Sequence, residues 1–506
     1  GNHQTRGLSA LAMLSILFRD FKGTDEWYKH SMKLLGEHMN KEINEDGFQF
    51  ERTVHYHISD IGNYFYVYQL AQKSNMKVDE DWKVTLNSLF ETLVKIAFPD
   101  KSAPVFSDDT DTPWAEKNDI SNALTLGYVL FQNPSYGYFA NSKVEAKMYW
   151  YLDAKQLESL GNIKSKKPVY ESVNFPETGY YLMREGWRKN DKLMVISAGL
   201  DDKKPDHQHG DILGVQAMAN GNVILPNYQV RYYLKDLELF KNSLTKNVAL
   251  VDDELQGKQY TSNKGGSGFG KFRKLPHPKV ISWGKDHGIE HFVGSHNGFE
   301  NIGVNYSRQV INIENKFWIV KDNFSSNEPH NYKQVWQGHY SLENAPNLLR
   351  ATFDDGSGLD IFQLKDVDRI KKSGARGKEW SIVSKEGSSE FSFLTVLFPF
   401  SKFDDRINEE TEETTSVRDW DLVRSQSNSD KLSYQFDKEN IKVAFDVLSM
   451  NLGKSKLEFE SPSDVVVIVG KKEVCVRNIQ ITNVIMNLNE NQFIIKPGNK
   501  IRIIFD

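Results

Sequence analysis

A change of hydrophobic period near residue 160 constrains this chain more than any other feature. From residue 8 to about 153 the apolar residues recur at helical spacing, as in Leu8, Leu11, Ala12, Leu14, Ile16 and Leu17, then Trp27, Met32, Leu34, Leu35 and Met39. That spacing predicts helices here and over roughly 58 to 74, 79 to 98, 116 to 132 and 142 to 153, with turns at Asp46-Gly47, Pro99-Asp100 and Asn133-Pro134. Several antiparallel helices with short loops make a bundle or an α/α toroid. After a polar stretch ending in Asn174-Phe-Pro-Glu-Thr178, short β-type runs take over, among them Leu193 to Ser197, Val223 to Leu225, Phe317 to Val320, Phe393 to Leu397 and Val465 to Val469. Gly, Asn and Asp punctuate them, as in a large antiparallel sandwich. The expected order is therefore multidomain, α then β: helices over 1–160, a linker over 161–175, a β-sandwich over 176–400 and a smaller C-terminal β-sheet region over 401–506.

Composition narrows the function classes. No apolar stretch is long enough to span a bilayer, and a formal charge of −5 makes nucleic acid a poor partner, since phosphate contact wants a dominant basic surface. An anionic polymer would need a local basic cleft, for which Lys164 to Lys167, Lys271 to Lys274 and Arg369 to Lys372 are available, although solvated loop charge is the better explanation of such runs. Aromatics at 12% suit sugar faces or a large β-domain, so Trp114, Trp187, Tyr228 and Tyr232 are stacking candidates with core packing as the alternative. A single cysteine, Cys475, excludes an internal disulfide framework. The opening Gly1-Asn2-His3-Gln4-Thr5 is not a basic and apolar leader, and a mature or trimmed chain would begin in this way.

Two short segments carry chemistry. In Asp206-His207-Gln208-His209-Gly210-Asp211, His207, His209 and Asp211 alternate and would share one face of a strand, a metal or proton-transfer pattern unless the segment is a hydrogen-bonded loop. Phe50-Glu51-Arg52-Thr53-Val54-His55-Tyr56-His57 opens an amphipathic helix with a tyrosine between two histidines; alone, a packed aromatic explains it.

Taken together these pieces resemble the heparinase II/III-like polysaccharide lyases, which join an α/α toroid to an antiparallel β-sandwich. The motifs run in order: Gly1-Asn2-His3, Phe50-Glu51 with Tyr56-His57, Phe106-Ser107-Asp108, Gly179-Tyr180-Tyr181 to Arg184-Glu-Gly-Trp187, His207, Ala219-Asn220-Gly221 and Val223 to Asn227. The resemblance implies a secreted or periplasmic lyase that cuts a uronic-acid glycan, a glycosaminoglycan such as heparan sulfate or an alginate, by β-elimination. It makes Tyr56 and His207 the proton-transfer pair, with Asn2 on the uronate carboxylate and His3 in the same subsite. Abstraction at C5 creates an enolate-like anion, so donors must face the carboxylate while a base and an acid act at C5 and at the C4 leaving oxygen. A tyrosine base needs nearby positive charge, and Arg52 is the candidate; Asp108, Arg184 and Tyr228 are secondary substrate contacts.

Relatives often hold zinc through a histidine, an aspartate and a later histidine, and the matching positions here are His209, Asn227 and Lys246. A neutral amide and an ammonium argue against a conventional zinc site, leaving open another divalent metal near His209. Lys246 is expected to replace the metal's charge by bracing Asp211 or neighbouring acceptors. The resemblance also implies further toroid helices ahead of the Asn-His motif. Two other readings stand beside the lyase: a toroid glycoside hydrolase using Asp108-Asp109 or Glu51, and a silent glycan binder. An unsaturated product separates the first, and binding without turnover marks the second.

Overall fold

The computed structural model describes residues 2–504 apart from 110, 111, 113, 202–206, 229, 231–233, 263–269, 343–346, 402–404, 408–413, 417–422, 429, 430, 439, 454, 489 and 490. Tyr232 and the side chain of Asn2 thus lie outside what is described. The chain forms two compact units: Gly1–Asn247 with Leu255–Leu275, and Val248–Glu254 with Pro276–Asp506.

The first unit is built on α1 (Asn2–Leu17), α2 (Thr24–Glu42), α3 (Val54–Lys73), α4 (Asp81–Ile96) and α5 (Ser121–Phe131), followed by the short α6 (Pro134–Gly137) and α7 (Ala154–Gly161). Between α4 and α5, β1 (Ala103–Pro104) pairs with β2 (Lys117–Asn118). The helix expected over 142 to 153 is instead a 3-10 turn at Ala146–Trp150. Helix α7 occupies the start of the polar stretch, where Asp153 accepts from the Gln156 backbone N–H and the Gln156 side chain reaches back to it. That local box outweighs the polar composition.

A five-stranded antiparallel meander follows: β3 (Val173–Phe175), β4 (Tyr180–Arg184), β5 (Leu193–Ser197), β6 (Gly214–Ala219) and β7 (Asn222–Leu225). Every residue of β4 and β5 is buried, so both of their faces are covered. Leu182, Val195 and Met218 share one core with Leu35, Phe65, Leu89, Leu93 and Leu124 of the helices. The switch in period over 161–175 is therefore real as secondary structure, while the compact units part near 247 because the first sheet packs on the helices. The short α8 (Leu237–Lys241) closes this unit's chemistry.

In the second unit the described residues form a ten-stranded and an eight-stranded sheet. The long strands Phe317–Gln337 and Lys378–Phe400 pair along the centre of the first. Ile311, Phe317, Ile319, Leu394 and Val396 on this sheet pack with Phe436, Val443, Phe445 and Val466 on the other, a β-sandwich. The C-terminal β-region expected as a separate piece thus shares its core with the strands before residue 400.

Candidate active site

The site begins where α3 begins. Arg52 takes a left-handed backbone, φ 60°, so the expected helix opening at Phe50 is a turn and the helix proper starts at Val54. Two side chains then satisfy its free N–H groups: Thr53 Oγ1 accepts from the Tyr56 N–H at 2.9 Å, and Asp109 Oδ1 accepts from the His55 N–H at 2.8 Å. The other Asp109 oxygen accepts from the Phe106 N–H at 3.0 Å and the Asn118 amide at 2.9 Å. Asp109 therefore ties the first turn of α3 to the loop that carries Asp108. Burial nonetheless lifts its carboxyl to about 6 against these hydrogen bonds.

Asp108 is the hub. Fully buried, it accepts from His207 Nδ1 at 3.2 Å, His209 Nε2 at 2.9 Å and Lys241 Nζ at 2.7 Å. Burial would raise its carboxyl, but the Lys241 charge and the two histidine bonds hold it well below the usual carboxylate range. An ionised carboxylate only accepts, so both histidines must donate to it. His207 therefore carries a proton on Nδ1, and its neutral form has the lone pair on Nε2. Its ring lies against Tyr56, with centroids 4.5 Å apart and planes at 36°. The loop Asp108–Asp109 thus helps bring His207 and Tyr56, separated by 151 positions, into ring contact.

His207 and His209 lie on a loop rather than the expected strand, yet alternation still aims both at Asp108. Asp211 leaves that cluster and meets Asn227 Nδ2 at 3.4 Å. Lys241 was invisible to sequence reasoning: inside Leu237-Glu-Leu-Phe-Lys241 it reads as one basic residue at a helix end, and only the fold buries it against Asp108.

Other expected contacts are placed differently. The buried Arg52 donates to the Thr178 carbonyl at 2.7 Å and to Ser197 Oγ at 3.3 Å, with its guanidinium 4.7 Å from the Tyr180 ring, so it braces β5 and the turn before β4 instead of the Tyr56 phenol. Arg184 is 1% exposed and caps the end of α4 through the Lys95 and Ala97 carbonyls at 2.9 and 2.8 Å. Trp187 stacks under it at 4.0 Å, and Tyr228 is 2% exposed. Neither Arg184 nor Tyr228 presents a surface to a sugar. His3 is exposed on the first turn of α1. Asp108 and Asp109, offered with Glu51 for the hydrolase reading, are both fully buried and hydrogen-bonded, and Glu51 is buried as well.

The zinc positions do not fit zinc. Burial and the nearby lysine charges lower His209 to about 4, so it is neutral, with its Nδ1 buried and unpartnered. The next ligand position is taken: Asn227 Oδ1 accepts from Lys246 Nζ at 2.6 Å. Lys246 is lowered to about 8 by burial, with Asp211 and Asp108 holding its charge. It reaches Asp211 through Asn227, so the expected brace runs through an amide. Among the described residues no group of three or more His, Cys, Asp or Glu is placed to hold a metal.

The chain is similar to known proteins over most of its length. The family description "Heparinase II/III N-terminus" matches residues 1–135, and "Heparinase II/III-like, C-terminal" matches residues 167–437. A heparin-sulfate lyase of Pedobacter heparinus is 22% identical over 427 residues, covering 79% of this chain and 58% of its own. One of Bacteroides thetaiotaomicron is 22% identical over 346 residues, covering 64% and 44%. A solved heparinase III has the same fold, with TM-score 0.64 at 15% identity, over 100% of this chain and 66% of the other. The chain thus spans about three fifths of the first relative's length. With the profile of the C-terminal half alone covering more than half of its residues, the chain belongs to the heparinase II/III family.

Proposed function

We propose that the protein is a polysaccharide lyase that cleaves a uronic-acid-containing glycosaminoglycan by β-elimination, with Tyr56 and His207 moving the protons. The observation that carries this reading is the Tyr56–His207 ring contact at 4.5 Å, with His207 fixed by an ionised Asp108. A base removes the C5 proton, the C5–H electrons become the C4–C5 double bond, the C4–O bond breaks, and the leaving oxygen takes a proton. For a glucuronate-type C5 the tyrosine serves as base and acid on one face; for the C5 epimer His207 Nε2 takes the proton from the other. In this reading Asn2 serves the uronate carboxylate and stabilises the enolate-like charge, and His3 lines the same subsite. The relatives named for heparin sulfate favour heparan-type chains over alginate. Such polymers are extracellular, so the enzyme works in a secreted or periplasmic setting; no helix among the described residues is long and apolar enough to cross a membrane.

The test is the ultraviolet absorbance of a 4,5-unsaturated uronate formed from heparan sulfate, hyaluronan, chondroitin sulfate or alginate. Turnover is expected with the natural protein and is expected to fall by about two to four orders of magnitude in Tyr56→Phe, which keeps the ring and removes the titrating oxygen. Binding of these glycans by folded protein without any unsaturated product would leave the silent-binder reading.

A further inference from the structure

The tyrosine of this pair sits in surroundings that oppose its ionisation. Burial pushes the Tyr56 phenol above its ordinary range, and the carboxylates of Asp108, Glu51 and Asp109 push it further. The remaining groups against the ring are His207 at 4.5 Å and His55 at 5.0 Å between centroids. Arg52, the cation that the sequence offers, is spent on Thr178, Ser197 and Tyr180. A phenol that must give up and regain a proton in such a place requires a cation from elsewhere.

Helix α1 provides one. Positions 56, 59 and 63 share a face of α3, and positions 2, 6 and 9 share a face of α1. The two faces are joined by three hydrogen bonds: Arg6 Nη2 to Ser59 Oγ at 3.2 Å, Asn63 Nδ2 to Thr5 Oγ1 at 3.2 Å, and Ser9 Oγ to the Asn63 carbonyl at 2.9 Å. This register holds the Arg6 guanidinium one helical turn beyond Tyr56 on the same side of α3. Arg6 borders a cavity of ≈ 370 Å³ lined also by Ser59, Asn63, Tyr66 and Asn122. The carboxylate on that cavity, Glu145, is paired with Lys147 at 2.6 Å. Among the described residues Arg6 has no carboxylate partner, so its charge is not cancelled.

We propose that Arg6 is the positioning cation of the proton-transfer site: held by Ser59 one turn beyond Tyr56, it supplies the positive charge against which the Tyr56 phenolate forms. This rests on the lyase reading above and assigns to Arg6 the role that the sequence offered to Arg52, whose guanidinium is held at Thr178, Ser197 and Tyr180. Among the described residues the Arg6 charge acts on Tyr56 in the favourable direction, more weakly than burial and the three carboxylates oppose it. Arg6 lies one turn along α1 from position 2, to which the lyase reading assigns the uronate carboxylate.

The test places a fluorinated tyrosine at position 56 of the whole protein and follows its ionisation by fluorine NMR, beside kcat and KM against pH with the natural residue. In Arg6→Gln the midpoint is expected to rise by roughly 0.2–0.7 pH unit, the effect of losing a solvent-screened opposite charge. The basic limb of kcat should move with it. Arg6→Lys should keep most of the natural midpoint, and Ser59→Ala, which frees the guanidinium, should give a smaller rise. An unchanged midpoint in folded Arg6→Gln overturns the proposal, as does a change in KM with kcat and midpoint untouched, which would make Arg6 a substrate anchor. The NMR midpoint needs no turnover, so a protein inactive on every glycan would sink the lyase reading and still decide this one.

Discussion

Asp108 accepts from two histidines and a lysine at once, and the carboxylate is fully buried. Replacing it by asparagine keeps the shape and removes the charge, leaving the buried Lys241 ammonium on the Gly270 carbonyl without the Asp108 counter-charge. Asp108→Asn is expected to cost about 3–5 kcal/mol in urea unfolding, the range for breaking one side of a buried pair. It should also lose turnover, because an amide can donate to Nδ1 and turn the His207 lone pair the wrong way. The Ser-Asp-Asp pattern marks a loop but says nothing about which donors meet it, so the sequence left Asp108 as a secondary substrate contact. Asp60 on α3 shows the opposite sign. Burial, with Glu42 and Glu51 nearby, lifts its carboxyl from 3.8 to about 7. Between those values the folded protein binds more protons than the unfolded one, so this group makes stability fall as pH rises, by up to about 1.4 kcal/mol per unit. Asp60→Asn removes that slope, and its urea midpoint should gain on the natural protein steadily from pH 5 to pH 7. A constant difference over that range would contradict the assignment.

At the scale of elements, α3 carries the site because its first turn is capped twice, by Thr53 and by Asp109. Thr53→Ala is expected to lose about 1 kcal/mol. It should also lower turnover with little change in glycan affinity, because the Tyr56 N–H that the cap fixes belongs to the residue whose ring packs on His207. A stability loss with unaltered kcat would show that the cap holds the helix and not the tyrosine. The hydrophobic period was sufficient to find α1, α2, α3, α4 and α5, since each has an apolar stripe against the core. It missed the start of α3, because a left-handed Arg52 has no compositional signature, and it placed His207 and His209 on a strand, because period-two spacing is shared by strands and extended loops.

For the molecule as a whole, the two sheets of the second unit are one structure. Ending the chain after Phe400 would strip Phe436, Val443, Phe445 and Val466 from Ile311, Phe317, Ile319, Leu394 and Val396. Such a truncation is expected to aggregate or to bind a hydrophobic dye strongly, whereas a domain boundary at 400 would leave a soluble product with native β circular dichroism. What the amino-acid order determined by itself is the succession of helices and strands, the family motifs in their register, and the identity of Tyr56 and His207 as the proton-transfer candidates. Those are local properties, written in side-chain period, turn residues and short motifs. What only the tertiary structure decided is who meets whom: Lys241 and not solvent on Asp108, Arg52 on Thr178, Arg6 on Ser59, Lys246 on Asn227, and the first sheet on the helices. Charges are paired by folding at sequence separations that no pattern encodes, and burial, which sets the strength of each pairing, exists only once the chain has closed around it.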